Sequence, residues 1–171
     1  MHKQNNIFLI GLMGTGKTTV GRQLSRKLKM DFYDSDRVIE ERTGADIPLI
    51  FEKEGEAGFR KRECDIIDEL TQKKNIILAT GGGAVLNSEN RNHLINRGTV
   101  FYLKSNLKTL IDRTSKDKNR PLLHADEPAE DILRRLLEER GPLYEATADY
   151  TIETANNSIH SVIQAIIKSL K

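Results

Sequence analysis

Gly11-Leu12-Met13-Gly14-Thr15-Gly16-Lys17-Thr18 is a glycine-rich run ending in Lys-Thr. It has the spacing of a phosphate-binding loop, and its flanks suit one. Before it, Ile7-Phe8-Leu9-Ile10 is a short apolar run suited to a buried strand. After it, Val20, Leu24 and Leu28 recur at helical spacing. Strand, glycine loop and helix together are the context that the motif needs. Glycines let backbone N–H groups approach a phosphate chain, and the helix N-terminus adds its partial positive charge. Gly14, Thr15, Gly16 and Thr19 are therefore expected around the phosphates. Lys17 is expected to reach the β- and γ-phosphates, and the Thr18 hydroxyl to bind Mg²⁺. The chain reads as a binder of a nucleoside triphosphate.

The bulk numbers agree with one α/β domain over residues 1–171. The 171 residues suffice for one proper core and are too few for two. Charged residues make up 30% and hydrophobic ones 37%, with a formal net charge of +2, so no general polyanion or nucleic-acid binder is indicated. No apolar run approaches a membrane span, and the first residues lack the apolar core of a signal peptide. Cys64 is the single cysteine, so no internal disulfide can form, and a reducing, cytoplasmic setting is expected. The histidines at 2, 93, 124 and 160 lack metal-ligand spacing, which argues against zinc.

Strand-like runs recur at 7–10, 31–33, 75–79, 100–103 and 150–152, with helix-like stretches between them. Gly44, Asp46 before Pro48, Gly55, Ser88, Gly98, Asn106 and Asp126 before Pro128 act as stop and start signals. The alternation predicts a five-stranded parallel sheet with helices on both faces and a ligand site beyond the C-terminal strand ends. Two segments exceed that minimum. Residues 35–62 read as charged short helices. Residues 113–126 are basic and turn-rich, suiting either a plain loop or a lid over the site.

Several side chains could carry chemistry. Asp34 and Asp36 follow the second strand, where two carboxylates can divide Mg²⁺ holding and nucleophile orientation. Either could instead cap the next helix, a duty that also suits Ser35. Gly81, Gly82 and Gly83 follow the third strand, where absent side chains allow close backbone approach. That strand ends without an acidic residue, which makes Asp34 the substitute at the metal. Arg60 lies beside an inward stripe of Phe59, Ile66 and Leu70, with Glu63 placed to hold it. Arg140 extends the apolar stripe of Leu133, Leu136 and Leu137, so it needs an anionic partner. An internal salt bridge or a substrate carboxylate would serve. Arg120, ahead of Pro121 within the lid reading, could close over the γ-phosphate and neutralise charge, whereas Arg113 is more often simply solvated charge. Cys64 is expected to be a small core residue.

These pieces resemble the shikimate kinases. The resemblance rests on the phosphate loop through Gly21, Asp34-Ser35-Asp36, Gly55-Glu56, Phe59-Arg60-Lys61-Arg62-Glu63 and Thr80-Gly81-Gly82-Gly83-Ala84. It continues in Asn119-Arg120-Pro121-Leu122-Leu123 and Glu139-Arg140-Gly141-Pro142-Leu143-Tyr144. The loop alone is widespread, whereas the other motifs in this order are specific. The resemblance implies a three-layer P-loop kinase fold with a substrate-binding subdomain at 35–62 and a lid at 113–126. It implies Mg-ATP-dependent phosphorylation of the 3-hydroxyl of shikimate, a step toward chorismate and the aromatic amino acids. By resemblance, Asp36 orients or deprotonates the attacking hydroxyl, and Arg60 and Arg140 grip the carboxylate. Gly81, Gly82 and Gly83 contact the ring through the backbone. Lys17 and Arg120 stabilise the moving phosphoryl group, Arg113 adds to the nucleotide site, and Thr18 binds Mg²⁺ directly with Asp34 holding it through water. A monomer acting on shikimate and ATP is expected.

One departure stands out. The family often has a proline shortly after its last strand, near the adenine, and residues 153–159 contain none. Rival readings are a gluconate or nucleotide kinase of the same fold, and a non-catalytic ATP- or shikimate-sensing module. The intact set of Lys17, Asp36 and Arg120 argues against the sensor.

Overall fold

Ile7, Phe8, Leu9 and Ile10 form a wholly buried strand, β1 (Ile7–Ile10), at the middle of the sheet. The computed structural model describes residues 5–114 and 127–171. Four further strands are β2 (Asp31–Asp34), β3 (Ile76–Ala79), β4 (Thr99–Lys104) and β5 (Tyr150–Glu153). All pair in parallel, in the order β2-β3-β1-β4-β5, and the register sets Phe8 opposite Leu78 and Val100. Because alternate side chains leave opposite faces, Ile7 and Leu9 enter one core and Phe8 and Ile10 the other. A strand buried on both faces reads as an unbroken apolar run, as this one does.

Helix α1 (Lys17–Leu28) and helix α7 (Ile159–Leu170) cover one face, where Val20, Leu24, Val162, Ile163 and Ile166 meet Phe101 and Leu103. The other face is covered by α2 (Ser35–Thr43), α3 (Ile47–Thr71), α4 (Ser88–Arg97), α5 (Leu107–Thr114) and α6 (Ala129–Thr147). The expected five-stranded parallel sheet between helical layers is what the chain forms.

The details refine the reading of 35–62. The predicted short helices become α2 and a 25-residue α3 that continues through Gly55. Gly55 is a kink rather than a stop: its φ of 74° and ψ of 177° belong to a region essentially reserved for glycine. Glu54 and Arg62 bridge that kink with two bonds of 2.6 and 2.8 Å. Gly44 closes α2 in the left-handed conformation, and Asp46 caps α3 by accepting from Leu49 N–H at 2.9 Å. The cap of α4 is Asn87, one residue before the expected Ser88. Asn106 caps the start of α5. The signal at Asp126 and nearly all of the lid expected at 113–126 lie outside the described residues. Among the described residues no helix is long and apolar enough to cross a membrane.

Candidate active site

A cleft of about 680 Å³ opens at the C-terminal ends of the strands. Gly14, Gly16, Lys17, Thr18, Thr19, Asp34, Asp36, Gly81, Gly82 and Arg113 line it, so most residues singled out from sequence meet at one place. Thr15 lies buried within the loop, its hydroxyl donating to Leu12 C=O at 2.9 Å. Arg120 lies outside the described residues.

The loop owes its shape to backbone chemistry. Gly14 and Gly16 have φ of 83° and 89°, which turns successive N–H groups toward one concavity at the start of α1. Lys17 Nζ donates to Gly11 C=O at 2.6 Å and Leu12 C=O at 2.8 Å, holding the ammonium over the loop. Arg113 donates to Gly14 C=O at 3.1 Å from the opposite wall. This donor-rich concavity fits a phosphate chain.

Asp34 does two jobs with its two oxygens. Its Oδ1 accepts from the N–H groups of Asp36 and Arg37, which makes it the cap of α2, rather than Ser35 or Asp36. Its Oδ2 accepts from the Thr18 hydroxyl at 2.6 Å, bringing two hard oxygen ligands together beside the loop. An alcohol and a carboxylate so placed fit Mg²⁺, which prefers a few protein oxygens and keeps several waters. Ser35, freed from capping, is buried and accepts the N–H of Gly81 at 3.1 Å.

The three glycines turn out to make room largely for the protein's own groups. A Cβ on Gly81 would sit 2.6 Å from Asp36 Oδ1 and 3.0 Å from Glu63 Oε2. On Gly83 it would sit 2.3 Å from Arg60 Nη1. Gly82 lies between the phosphate loop and α6, its Cβ position 3.5 Å from both Met13 N and Arg140 Nη1. The charged side chains thus press against the backbone where the cleft ends.

Arg60 lies inside α3 just past the kink, and its Nη1 donates to Glu63 Oε1 at 2.9 Å. Burial opposes its charge, yet Glu63 and Glu56 outweigh that and hold it more firmly protonated. Burial pushes the Glu63 carboxyl up, against the pull of Arg60 and Arg140. Arg140 is only 3% exposed and its Nε is buried without a hydrogen-bond partner. Among the described residues no carboxylate forms an ion pair with it, so the internal salt bridge that the sequence allowed is not made there. Cys64 is half-buried on α3 rather than part of the core, and burial raises its thiol.

Sequence reasoning missed Arg37, Glu40, Ile47, Thr80 and Ile159, which also line the cleft. Ile159 opens α7 and lies beside Gly16, with Cδ1 3.6 Å from that residue's Cβ position. It stands at the end of the segment whose expected proline is absent. Thr80 was visible in the glycine motif, whereas Ile159 carried no signal of its own.

Comparison with known proteins agrees with this geometry. The family model for shikimate kinase matches residues 13–171. A shikimate kinase from Vibrio parahaemolyticus is 53% identical over 171 residues, covering 100% of this chain and 99% of the relative. Shikimate kinase 1 of Escherichia coli is 52% identical over 171 residues, with coverage of 100% and 99%. The structure of shikimate kinase from Acinetobacter baumannii in complex with shikimate is 50% identical, with a TM-score of 0.94 over 98% of this chain and 93% of that one. The chain belongs to the shikimate kinase family and is a kinase that uses ATP with Mg²⁺.

Proposed function

We propose that this chain transfers the γ-phosphoryl group of ATP to the 3-hydroxyl of shikimate, with the residues of the cleft in the following roles. The observation that carries the carboxylate assignment is Arg140, a buried guanidinium with no carboxylate paired to it among the described residues. An isolated buried charge is strongly unfavourable unless a partner arrives, and arginine matches a carboxylate through two parallel bonds. Arg60, held by Glu63, faces the same glycine turn and grips the same group. Gly82 offers backbone contact between the two substrates.

Asp36 orients or deprotonates the attacking hydroxyl. It lies on the wall between the glycine turn and the loop, within the cleft. Phosphoryl transfer passes through a loose transition state, so positioning does most of the work. Lys17 moves from the carbonyls of Gly11 and Leu12 onto the phosphates, and Arg120 joins it. Thr18 and Asp34 would hold Mg²⁺, which would neutralise charge on the phosphates. Residues 35–62 form the substrate-binding subdomain and 113–126 the lid. One chain supplies every group named, consistent with a monomer, and the lone Cys64 suits the cytoplasm.

A coupled ADP-release assay with Mg-ATP, comparing shikimate, gluconate and nucleoside monophosphates, tests the reading. Turnover is expected with shikimate alone. Turnover only with another acceptor would remove the carboxylate assignment, and ATP binding without turnover would favour the sensor. In the same assay Asp36→Asn should lower kcat by about 10²- to 10⁴-fold while ATP binding persists. A loss of only a few-fold would exclude Asp36 as base and as orienting group.

A further inference from the structure

Tyr144 belongs to none of the roles above, yet it touches both sides of the carboxylate site. Its side chain is fully buried, and its hydroxyl donates to the carbonyl of Gly82. It lies four residues after Arg140 on α6, so the two share a face of that helix. Arg140 Nη1 meanwhile approaches the Cβ position of Gly82 to 3.5 Å. The Tyr144 phenol thus meets both the Arg140 guanidinium and the Gly82 peptide, which lines the cleft.

The turn of α6 that carries Arg140 has little internal rigidity. Gly141 lowers helix propensity, and Pro142 lacks the N–H that would bond back four residues. The placement of that turn then depends on what it is tied to outside the helix. Tyr144 supplies such a tie. Its ring stacks on Tyr102 of β4, with centroids 4.9 Å apart and planes at 28°. Its hydroxyl reaches across 62 positions of sequence to the turn after β3. Burial pushes the phenol above its ordinary range even with Arg140 beside it, so it remains a donor at neutral pH.

We infer that Tyr144 is a positioning residue for substrate selection, holding the Gly82 peptide and the Arg140 turn in mutual register so that a substrate carboxylate is preferred over a neutral group. A peptide is planar, so fixing the Gly82 carbonyl also fixes the direction of the N–H that follows it. Anchoring one end of the Gly82–Gly83 peptide thereby sets how the backbone faces an anion held by Arg140. The inference rests on the assignment of Arg140 to the shikimate carboxylate.

The test compares kcat/KM for shikimate with that for its neutral carboxamide. The enzyme as found should prefer the acid. Tyr144→Phe removes only the hydroxyl, and it should shrink that preference by roughly three- to tenfold, the range for one lost hydrogen bond. KM for ATP should hold steady. A merely structural role would lower both substrates equally and leave the ratio unmoved. Tyr102→Leu withdraws the stacking support without touching a substrate group, so it should move the ratio the same way. It also decides the matter if Tyr144→Phe does not fold. An unchanged ratio in the folded variants overturns the inference. A native enzyme that accepts acid and amide equally overturns the Arg140 assignment beneath it, so the two failures are told apart.

Discussion

Arg140 shows how far one residue can be read from its surroundings. A guanidinium that is 3% exposed has lost nearly all its water, and burying an unpaired ion is unfavourable by several kcal/mol. Glu63 lies near enough to feel its charge without pairing with it. On the proposed assignment the site is organised in advance for an anion, which reduces the ordering needed on binding. Lysine would keep the charge but lose the planar fork. Arg140→Lys should raise KM for shikimate roughly ten- to a hundredfold, the loss of one charge-assisted bond, while the melting temperature changes little. Steady-state kinetics with differential scanning calorimetry checks this. An unchanged KM with a lower melting temperature would instead point to a structural duty.

At the scale of the element, α3 and the glycine turn illustrate two reasons for glycine. Gly55 has open space around its Cβ position, so only its backbone angles require glycine. Gly83 has an ordinary φ, so only the Arg60 guanidinium requires it. The two alanine variants should separate accordingly. Gly55→Ala should lose about 1–3 kcal/mol of stability, the range for a residue forced into a sparsely populated region. Gly83→Ala should keep most of its stability, because the far end of an arginine can swing aside, and should raise KM for shikimate. Urea unfolding and kinetics on both variants would show it, and swapped phenotypes would contradict the account.

The whole molecule has an electrostatic character set mainly at its surface. Arg62 holds the Glu54 carboxyl below its ordinary value of 4.5, and Arg42 does the same for Glu69. Arg97 holds Asp68 below its ordinary 3.8. A carboxylate depressed in the fold favours the native state above its ordinary pKa, and that advantage is lost as pH falls through the depressed value. Glu63 runs the other way. Burial raises it, so its contribution is greatest below 4.5 and is lost as pH rises through its raised value. The three surface pairs act in one direction against this single group. The melting temperature should therefore decline below about pH 4.5. A variant carrying Glu54→Gln, Asp68→Asn and Glu69→Gln should decline less steeply over the same range. Because the Glu54 and Glu69 pairs are exposed, 1 M salt should flatten the native curve as well. An acid limb equally steep in variant and native protein would assign the decline to other groups.

Much of this was legible before folding. The phosphate loop, the apolar strand ahead of it and the periodic helix behind it are local, and short-range sterics and hydrogen bonding determine them. The sheet class followed from alternation, and the apolar stripes of Phe59, Ile66, Leu70 and of Leu133, Leu136 came out buried as their spacing required, with Leu137 only partly so. Residue types alone brought Asp34, Asp36, Arg60 and Arg140 under suspicion. Tertiary structure decided which groups each of them meets. Asp34 could be cap or metal ligand on sequence grounds. Folding gives one oxygen to the cap and the other to Thr18, sixteen positions away. The glycine turn looked like space for a ligand, yet Asp36 and Arg60 fill much of it. Neither Ile159 nor Tyr144 could be placed from its neighbours, since each acts on a group more than sixty residues distant. Periodicity reports which face a side chain takes along its own element. Which atoms it meets on arrival depends on how the elements pack, and that is decided by the folded chain as a whole.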